Sequence, residues 1–289
     1  MSVVWLDGAL IPREVASVSV DDMGFLYGAA CFETMRAPAG TVFRLERHLD
    51  RLKSGLEALA VPPPPRATLR EAVAATLDAN APGAGEDGAV FGVRVRLTVS
   101  AGRGSGRPDL SAPSAPTVLV VGEPLTAPPG PTRLAVASQR LDQHRPLREA
   151  KTANYLLSLL ALAEARAAGC DEALILNHRG HVAEAATANL FVAVDGVLVT
   201  PPMDDGPLPG VTREAVLECA SASAIPVAER TLTLDDLASV DELFLTNSIV
   251  GVRPVSAVED LWRAGERPGP LTAALAAAYD RLVRSECGV

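Results

Sequence analysis

The second half of the chain contains short apolar runs separated by turn residues. The runs are 173–176, 182–184, 190–194 and 197–200. Asn177-His-Arg-Gly180 lies between the first two runs, and Asp195-Gly196 lies between the last two. Asp-Gly readily adopts the backbone angles of a tight hairpin. Because short aliphatic runs at this spacing are typical of antiparallel hairpins, the region is expected to form a sheet.

Helical and extended patterns alternate along the rest of the chain. The residues Leu45, Leu49, Leu52, Leu56 and Leu59 recur at helical spacing. Further helices are predicted at 68–77, 154–168, after Gly210, 234–238 and 271–283. The 154–168 segment is apolar almost all round, which predicts a deeply packed helix. Strands are predicted at 3–6, 9–11, 90–99, 117–121, 133–137 and 242–245, so the fold class is α/β with mixed α+β sheets.

The boundary between two domains is expected near the segment Gly122–Pro131, which is rich in Pro and Gly. The predicted organisation is an N-terminal α/β domain at 1–122, a linker at 123–131 and a C-terminal domain at 132–289. Loops are expected at 83–88 and 102–107.

Composition disfavours several classes of function. The formal net charge of -9 contains no acidic or basic block, so neither nucleic acid nor a membrane surface is an expected partner. No apolar stretch reaches the roughly 18 residues of a membrane span. The four cysteines are far apart and form no CxxC pair, which favours reduced thiols, no metal site and a cytoplasmic location.

Lys151 is the first candidate for chemistry. It precedes the apolar 154–168 segment and is the only lysine of the second half, where all other basic side chains are arginine or histidine. An amine that is partly desolvated there could form a Schiff base with an aldehyde. The alternative is a solvated lysine at a helix start.

Glu184 and Gly210 belong to two further motifs. Glu184 begins Glu184-Ala-Ala-Thr-Ala-Asn-Leu-Phe191 and could keep a pyridine nitrogen protonated, although an exposed turn glutamate is the alternative. Gly210 precedes a predicted helix, so the amides of Val211 and Thr212 could bind an anion at the helix N-terminus. The alternative is an ordinary Pro-Gly turn with Thr212 as N-cap.

Several other side chains could complete a site. Ser248 follows a short buried strand and could donate a hydrogen bond to the same anion. Asn189 could orient the neighbouring loop. Arg51 could bind a ligand or form a surface ion pair with Glu46 or Asp50. Tyr27 and Phe32 could line a pocket. Arg96 and Arg103 could bind carboxylates or simply be outward-facing charges.

An amine, an acid and phosphate donors together match what pyridoxal 5'-phosphate requires. The ordered motifs resemble the class IV, fold-type IV pyridoxal phosphate enzymes, and this resemblance covers nearly the whole chain. It implies a two-domain fold like that of D-amino acid aminotransferase, with the cofactor between the domains, and a homodimer. It also implies Lys151 as the Schiff-base lysine and Glu184 on the pyridine nitrogen. The other implied cofactor contacts are Arg51, Tyr155, Asn189, Val211, Thr212 and Ser248.

The local motifs point to more than one member of this family. Asn154 follows Lys151 by three positions, and this spacing together with Phe32-Glu-Thr34 and Thr246-Asn-Ser248 resembles the 4-amino-4-deoxychorismate lyases. Such a lyase releases pyruvate and 4-aminobenzoate for folate biosynthesis. The run Tyr155-Leu-Leu-Ser-Leu-Leu160 resembles branched-chain aminotransferases instead. The lyase is the leading interpretation. The alternatives are a branched-chain, D-amino acid or R-amine transaminase and an inactive binding protein.

Overall fold

The computed structural model of the protein describes residues 2–80, 90–105, 107, 109, 115–126, 130–265 and 268–289. It divides into two compact units. The first is Met1–Ala127 with Ala150–Asn154 and Glu286–Val289, and the second is Pro128–Glu149 with Tyr155–Ser285. The loop predicted at 83–88, and parts of the predicted turn and linker, lie outside the described residues.

The first unit contains a five-stranded antiparallel sheet with the order β2-β1-β5-β4-β3. Its elements are β1 (Val3–Leu6), β2 (Ala9–Pro12), α1 (Met23–Tyr27), β3 (Ala30–Ala37), α2 (Leu45–Ala58), α3 (Arg66–Ala79), β4 (Val90–Ser100) and β5 (Thr117–Thr126). The predicted β1–β2 hairpin is confirmed, with Asp7 at φ 46° and Gly8 at φ 103°. Residues 122–126 belong to β5, so the linker was predicted to start too early.

The core of the first unit follows from the two-residue period of its strands. On β4, Val93, Val95, Leu97 and Val99 are buried, whereas Arg94 and Arg96 lie on the opposite face. The buried face packs against the leucines of α2 and the apolar side of α3. Full burial of one such side chain contributes about 1.5–3 kcal/mol, so this packing fixes the position of α2 against β3.

The second unit contains a nine-stranded mixed sheet with the order β11-β10-β9-β12-β13-β6-β7-β8, and β14 pairs with β13. Its elements are β6 (Thr132–Leu141), α4 (Leu156–Ala167), β7 (Glu172–Asn177), β8 (Val182–Ala185), β9 (Asn189–Val194), β10 (Val197–Thr200), α5 (Val211–Ala222), β11 (Val227–Glu229), α6 (Leu234–Leu237), β12 (Glu242–Asn247), β13 (Gly251–Val258), β14 (Trp262–Arg263) and α7 (Pro270–Cys287). The neighbours β6–β7, β6–β13 and β10–β11 are parallel. Within the described ranges, no helix is long and apolar enough to cross a membrane.

The structure confirms the helices and hairpins predicted for this region but corrects the prediction for α4. Ala161, Leu162 and Ala165 pack in the core. Leu156, Leu159 and Leu160 are 65%, 56% and 50% exposed, so the helix is not buried all round. Its apolar composition therefore includes an exposed leucine stripe as well as a core-facing one.

Candidate active site

The segment Ala150–Asn154 lies along the outer edge of β3. The Phe32 amide donates to the Lys151 carbonyl at 2.9 Å, and the Ala153 amide donates to the Ala30 carbonyl at 2.8 Å. Cys31 and Thr152 form an isolated antiparallel bridge between these segments. Lys151 is therefore the cross-strand neighbour of Phe32, and paired positions place side chains on the same face.

Three of the predicted site residues come together around the Phe32 ring. The Lys151 Nζ lies 4.7 Å from the ring centroid, and the Arg96 Cζ lies 3.8 Å from it. Phe32 is buried and Lys151 is half-buried. Both cations are thus within the range of cation–π attraction. Lys53, the chain's other lysine, is exposed, and its Nζ lies 3.6 Å from Glu57 Oε1.

Arg51 forms a bidentate ion pair with a buried carboxylate. Its Nε donates to Glu33 Oε1 at 2.8 Å, and its Nη2 donates to Oε2 at 2.6 Å. His48 Nδ1 lies 2.6 Å from the same Oε2. Burial raises the pKa of Glu33, but Arg51 and His48 more than offset this and lower it to about 2. The expected alternative, a surface pair of Arg51 with Glu46 or Asp50, is wrong because those carboxylates pair with Arg66 and Arg70.

Gly55 lies one helical turn after Arg51, where α2 approaches the Lys151 segment. A Cβ at Gly55 would lie 2.9 Å from Cys31 Sγ and 3.1 Å from Ala150 Cβ, so only glycine fits without a shift. Ala150 immediately precedes Lys151. Burial, with a smaller contribution from the Glu33 charge, raises the pKa of the Cys31 thiol to about 12. This thiol is therefore not a nucleophile near neutral pH.

Tyr27 and Arg103 lie at opposite ends of one local structure around α1. The Asp22 side chain caps α1 by accepting from the Gly24 amide at 2.8 Å, and its backbone bridges to Arg103. Tyr27 ends α1 and is followed by Gly28, whose carbonyl accepts from Asn154 Nδ2 at 3.1 Å. Tyr27 is 45% exposed, and Arg103 is also exposed. The roles of Tyr27 and Arg103 in substrate binding stay predictions.

Within the second unit, Glu184 and Asn189 fasten the loop that precedes α5. Glu184 Oε2 accepts from the Leu208 amide at 3.0 Å and from Asn189 Nδ2 at 3.4 Å. Asn189 Nδ2 also donates to the Leu208 carbonyl at 2.9 Å. Glu184 lies on β8 and is half-buried, not in an exposed turn. The predicted acid and the predicted phosphate loop are therefore adjacent.

The N-terminus of α5 has the features of an anion site. Gly210 is its N-cap and provides no side chain to the first turn. Thr212 is 2% exposed, and its Oγ1 has no hydrogen-bond partner in the part of the chain that the structure describes. The first amides of a helix likewise lack intrahelical acceptors and carry a partial positive charge. These groups fit a phosphate, which accepts several hydrogen bonds and carries negative charge.

Tyr155 and Ser248 occupy neighbouring turns of the second unit. The Tyr155 hydroxyl donates to the Ala186 carbonyl at 3.0 Å, two residues after Glu184. Asn247 Nδ2 donates to the Thr187 carbonyl at 3.2 Å, so the turn carrying Ser248 adjoins the same segment. Ser248 is half-buried. The structure thus brings Tyr155, Glu184 and Ser248 to one local region.

Some residues of these sites were not predicted. Glu33 was not singled out, although it shares the two-residue period of the buried Cys31 and Met35, which indicates an inward carboxylate that requires a cation. Arg145 was also missed. Its Nη1 donates to the Asp142 carbonyl at 3.2 Å and the Gly206 carbonyl at 3.4 Å. Burial lowers the pKa of Arg145 and the Glu184 charge opposes this. No local sequence pattern signals that position.

The chain is similar to known proteins over nearly its whole length. Residues 30–258 match the model of the amino-transferase class IV family. A Methanocaldococcus jannaschii protein, provisionally named a branched-chain-amino-acid aminotransferase, is 32% identical over 99% of this chain and 98% of its own. The branched-chain amino acid aminotransferase from T.th., complexed with N-(5'-phosphopyridoxyl)-L-glutamate, has a TM-score of 0.88 and 28% identity, covering 98% of this chain and 94% of that one.

A third similar structure comes from Legionella pneumophila and is provisionally named a 4-amino-4-deoxychorismate lyase. It has a TM-score of 0.83 and 26% identity, covering 93% of this chain and 97% of that chain. The chain therefore belongs to the class IV aminotransferase family, and its fold is that of the fold-type IV enzymes. It is a pyridoxal phosphate-dependent enzyme.

Proposed function

We propose that the protein is an aminotransferase that moves an amino group from an amino acid to a 2-oxo acid. The observation that carries this proposal is the M. jannaschii relative, which matches over nearly the full length of both chains. The phosphopyridoxyl-glutamate complex of the T.th. aminotransferase adds support, since its ligand joins the cofactor to an amino acid.

Lys151 is proposed to hold the cofactor and to move the proton. When bound, pyridoxal phosphate supplies an aldehyde that captures amines and a ring that withdraws electrons. The Lys151 amine would take a proton from the amino-bearing carbon of the substrate and would return it at the C4' carbon of the cofactor. Arg96, stacked on Phe32, would hold the substrate carboxylate. Arg103 would bind a substrate carboxylate in the same way, and Tyr27 and Phe32 would line the substrate pocket.

Glu184 and the N-terminus of α5 are proposed to bind the ring and the phosphate of the cofactor. Glu184 would keep the pyridine nitrogen protonated, with Asn189 and Tyr155 fixing the surrounding segments. The amides of Val211 and Thr212, the Thr212 hydroxyl and the Ser248 hydroxyl would donate to the phosphate. Arg51 is also proposed to bind the phosphate through its positive charge.

The lyase remains the second candidate because specific observations favour it. The three-residue step from Lys151 to Asn154 is used structurally, since Asn154 donates to the Gly28 carbonyl. The Legionella pneumophila structure provides a lyase-like neighbour. With aminodeoxychorismate, Lys151 would remove the proton at the amino-bearing carbon, and pyruvate would leave as the ring becomes aromatic. The product would be 4-aminobenzoate, a precursor for folate biosynthesis.

One pair of assays separates the two activities. Purified protein is incubated with aminodeoxychorismate, and pyruvate and 4-aminobenzoate are measured. In parallel it is incubated with single amino acids and 2-oxoglutarate, and glutamate is measured. Glutamate formation alone is expected. Release of 4-aminobenzoate without glutamate formation would replace the aminotransferase proposal by the lyase.

We further propose that the protein acts as a homodimer in the cytoplasm. The exposed leucines of α4 form a stripe at helical spacing, which a second copy could cover. All four cysteines are free and buried, as suits a reducing compartment. Sedimentation analysis of the purified protein tests the dimer, and a monomer at micromolar concentration would reject it.

A further inference from the structure

Glu33 is a fully buried carboxylate for which the proposed reaction has no direct use. Its side chain is 0% exposed, and three donors from α2 surround it: His48 Nδ1, Arg51 Nε and Arg51 Nη2. Burying a carboxylate is costly unless cations and hydrogen bonds compensate. Burial of the Glu33 carboxylate is therefore tolerated because Arg51 and His48 together compensate its charge.

The sequence places these groups by two periodicities. Cys31, Glu33 and Met35 alternate on the face of β3 that packs against α2. His48 and Arg51 are three residues apart on α2 and share one face. The pKa of Glu33 is lowered to about 2, so the carboxylate is ionised throughout the range in which the enzyme would work.

The ion pair determines how the Arg51 guanidinium is oriented. Two parallel hydrogen bonds hold its Nε and Nη2 edge against the two oxygens of Glu33. Such a fork restricts rotation of the guanidinium plane, which single-point contacts do not. The helix face that carries Arg51 continues to Gly55, where an added Cβ would lie 3.1 Å from the Cβ of Ala150, the neighbour of Lys151.

From this geometry we propose that Glu33 and His48 are positioning residues that orient Arg51 toward the phosphate of the cofactor. The inference rests on the proposed function, because the Arg51 contact with phosphate is itself proposed there. Glu33 has two opposing effects: its charge weakens the attraction of Arg51 for an anion, and its two hydrogen bonds fix the plane of the Arg51 guanidinium. Orientation dominates because arginine recognises phosphate through directional hydrogen bonds.

The test measures how much the protein prefers pyridoxal phosphate over pyridoxal, which lacks the phosphate. Dissociation constants of both aldehydes are determined on the apo-protein from the absorbance of the bound form. Glu33→Gln is expected to reduce the preference about tenfold, comparable to losing one charge-assisted hydrogen bond. Arg51→Gln defines the full loss. A purely structural defect would weaken both ligands equally and leave the preference unchanged.

Glu46→Gln is the matched control. Glu46 forms the same bidentate geometry with Arg70, at 2.7 Å and 2.8 Å, but on the surface. This variant is expected to retain the wild-type preference. If Glu33→Gln also retains it, or prefers pyridoxal phosphate more strongly than the wild type, the positioning role is overturned.

A second pair of variants decides the question if Glu33→Gln does not fold. His48→Asn keeps an amide donor near the position of Nδ1, whereas His48→Leu removes it. We expect His48→Leu to reduce the preference for pyridoxal phosphate over pyridoxal and His48→Asn to restore it. If both variants keep the wild-type preference, the proposal is overturned. If Arg51→Gln leaves the wild-type preference unchanged, the Arg51 assignment in the proposed function fails instead.

Discussion

Gly210 lies directly against Asn189, and a Cβ at Gly210 would collide with the Asn189 Oδ1. Asn189 cannot easily yield, because its Nδ2 is tied to Leu208 and Glu184. We therefore expect Gly210→Ala to lower the free energy of unfolding by about 1–3 kcal/mol, the usual cost of overpacking. Cofactor affinity should fall with it, since the α5 N-terminus must move. Thermal unfolding and cofactor titration measure the two effects.

The control for this substitution is Gly265→Ala, where a Cβ would meet nothing within 4 Å. This control variant should leave the free energy of unfolding and the cofactor affinity near their wild-type values. Equal effects of the two alanines would show that the contact between Gly210 and Asn189 does not constrain the loop.

Thr212→Val tests the anion site separately from folding. The substitution removes a buried hydroxyl without a partner among the described residues, so the apo-protein should be equally or more stable. Affinity for pyridoxal phosphate should fall about 10- to 100-fold if that hydroxyl donates to the phosphate. Thr272→Val removes a comparable buried hydroxyl of the same unit and should not affect the cofactor. An unchanged dissociation constant in Thr212→Val would reject the hydroxyl as a phosphate ligand.

Lys151→Ala should abolish covalent capture of the cofactor. Borohydride reduction of the wild-type holoenzyme is expected to leave one phosphopyridoxyl group on the peptide that contains Lys151, as mass spectrometry would show. Lys53→Ala is the control, because the exposed Lys53 interacts only with Glu57 among the ion pairs described. A reduced adduct that persists in Lys151→Ala would refute the lysine assignment.

Local patterns were sufficient to predict most of the helices and strands. The leucines of α2 recur every three or four positions, and Asp7-Gly8 can adopt positive φ angles, so each element follows from a few neighbouring residues. The Gly210 turn before α5 was predicted for the same reason. Its proximity to Glu184 was not, because that depends on how β8, β9 and the loop pack together.

Tertiary packing also explains what was missed. Arg51 was considered with Glu46 and Asp50, its neighbours in sequence, yet its partner Glu33 lies on another element. The face of β3 could be deduced from alternation, but the pairing required the position of α2 against the sheet. On α4, periodicity could not distinguish leucines that face the core from those that remain exposed.

Glu33 also makes a prediction about acid stability. Its pKa is about 2 in the folded protein and 4.5 as the ordinary value, so the unfolded chain takes up the proton first as pH falls. Its contribution is complete above pH 4.5 and is lost progressively toward pH 2. The shift corresponds to about 3 kcal/mol. Glu33→Gln should therefore show a flatter decline of unfolding free energy over this window in urea titrations at several pH values.

The acid window distinguishes buried from exposed pairing. Hydrogen bonds from Arg70 are the largest cause that lowers the pKa of Glu46, also to about 2, but this carboxylate is 47% exposed. Salt screens exposed pairs much more than buried ones. At about 0.5 M NaCl the screening length is about 4 Å. There the effect of Glu46→Gln on the acid-dependent decline of unfolding free energy should largely vanish, whereas the effect of Glu33→Gln should remain. Equal salt sensitivity would contradict the buried pairing of Glu33.

The exposed stripe of α4 makes the final prediction. Leu156, Leu159 and Leu160 together expose more apolar surface than isolated surface leucines do, and water contact with such a stripe is unfavourable. If a second copy covers it, Leu160→Lys would bury a charge in the interface and should shift the protein toward monomers in sedimentation analysis. Val227→Lys, at a 40% exposed valine of the same unit, should leave the mass unchanged. A wild-type dimer that survives Leu160→Lys would place the interface elsewhere.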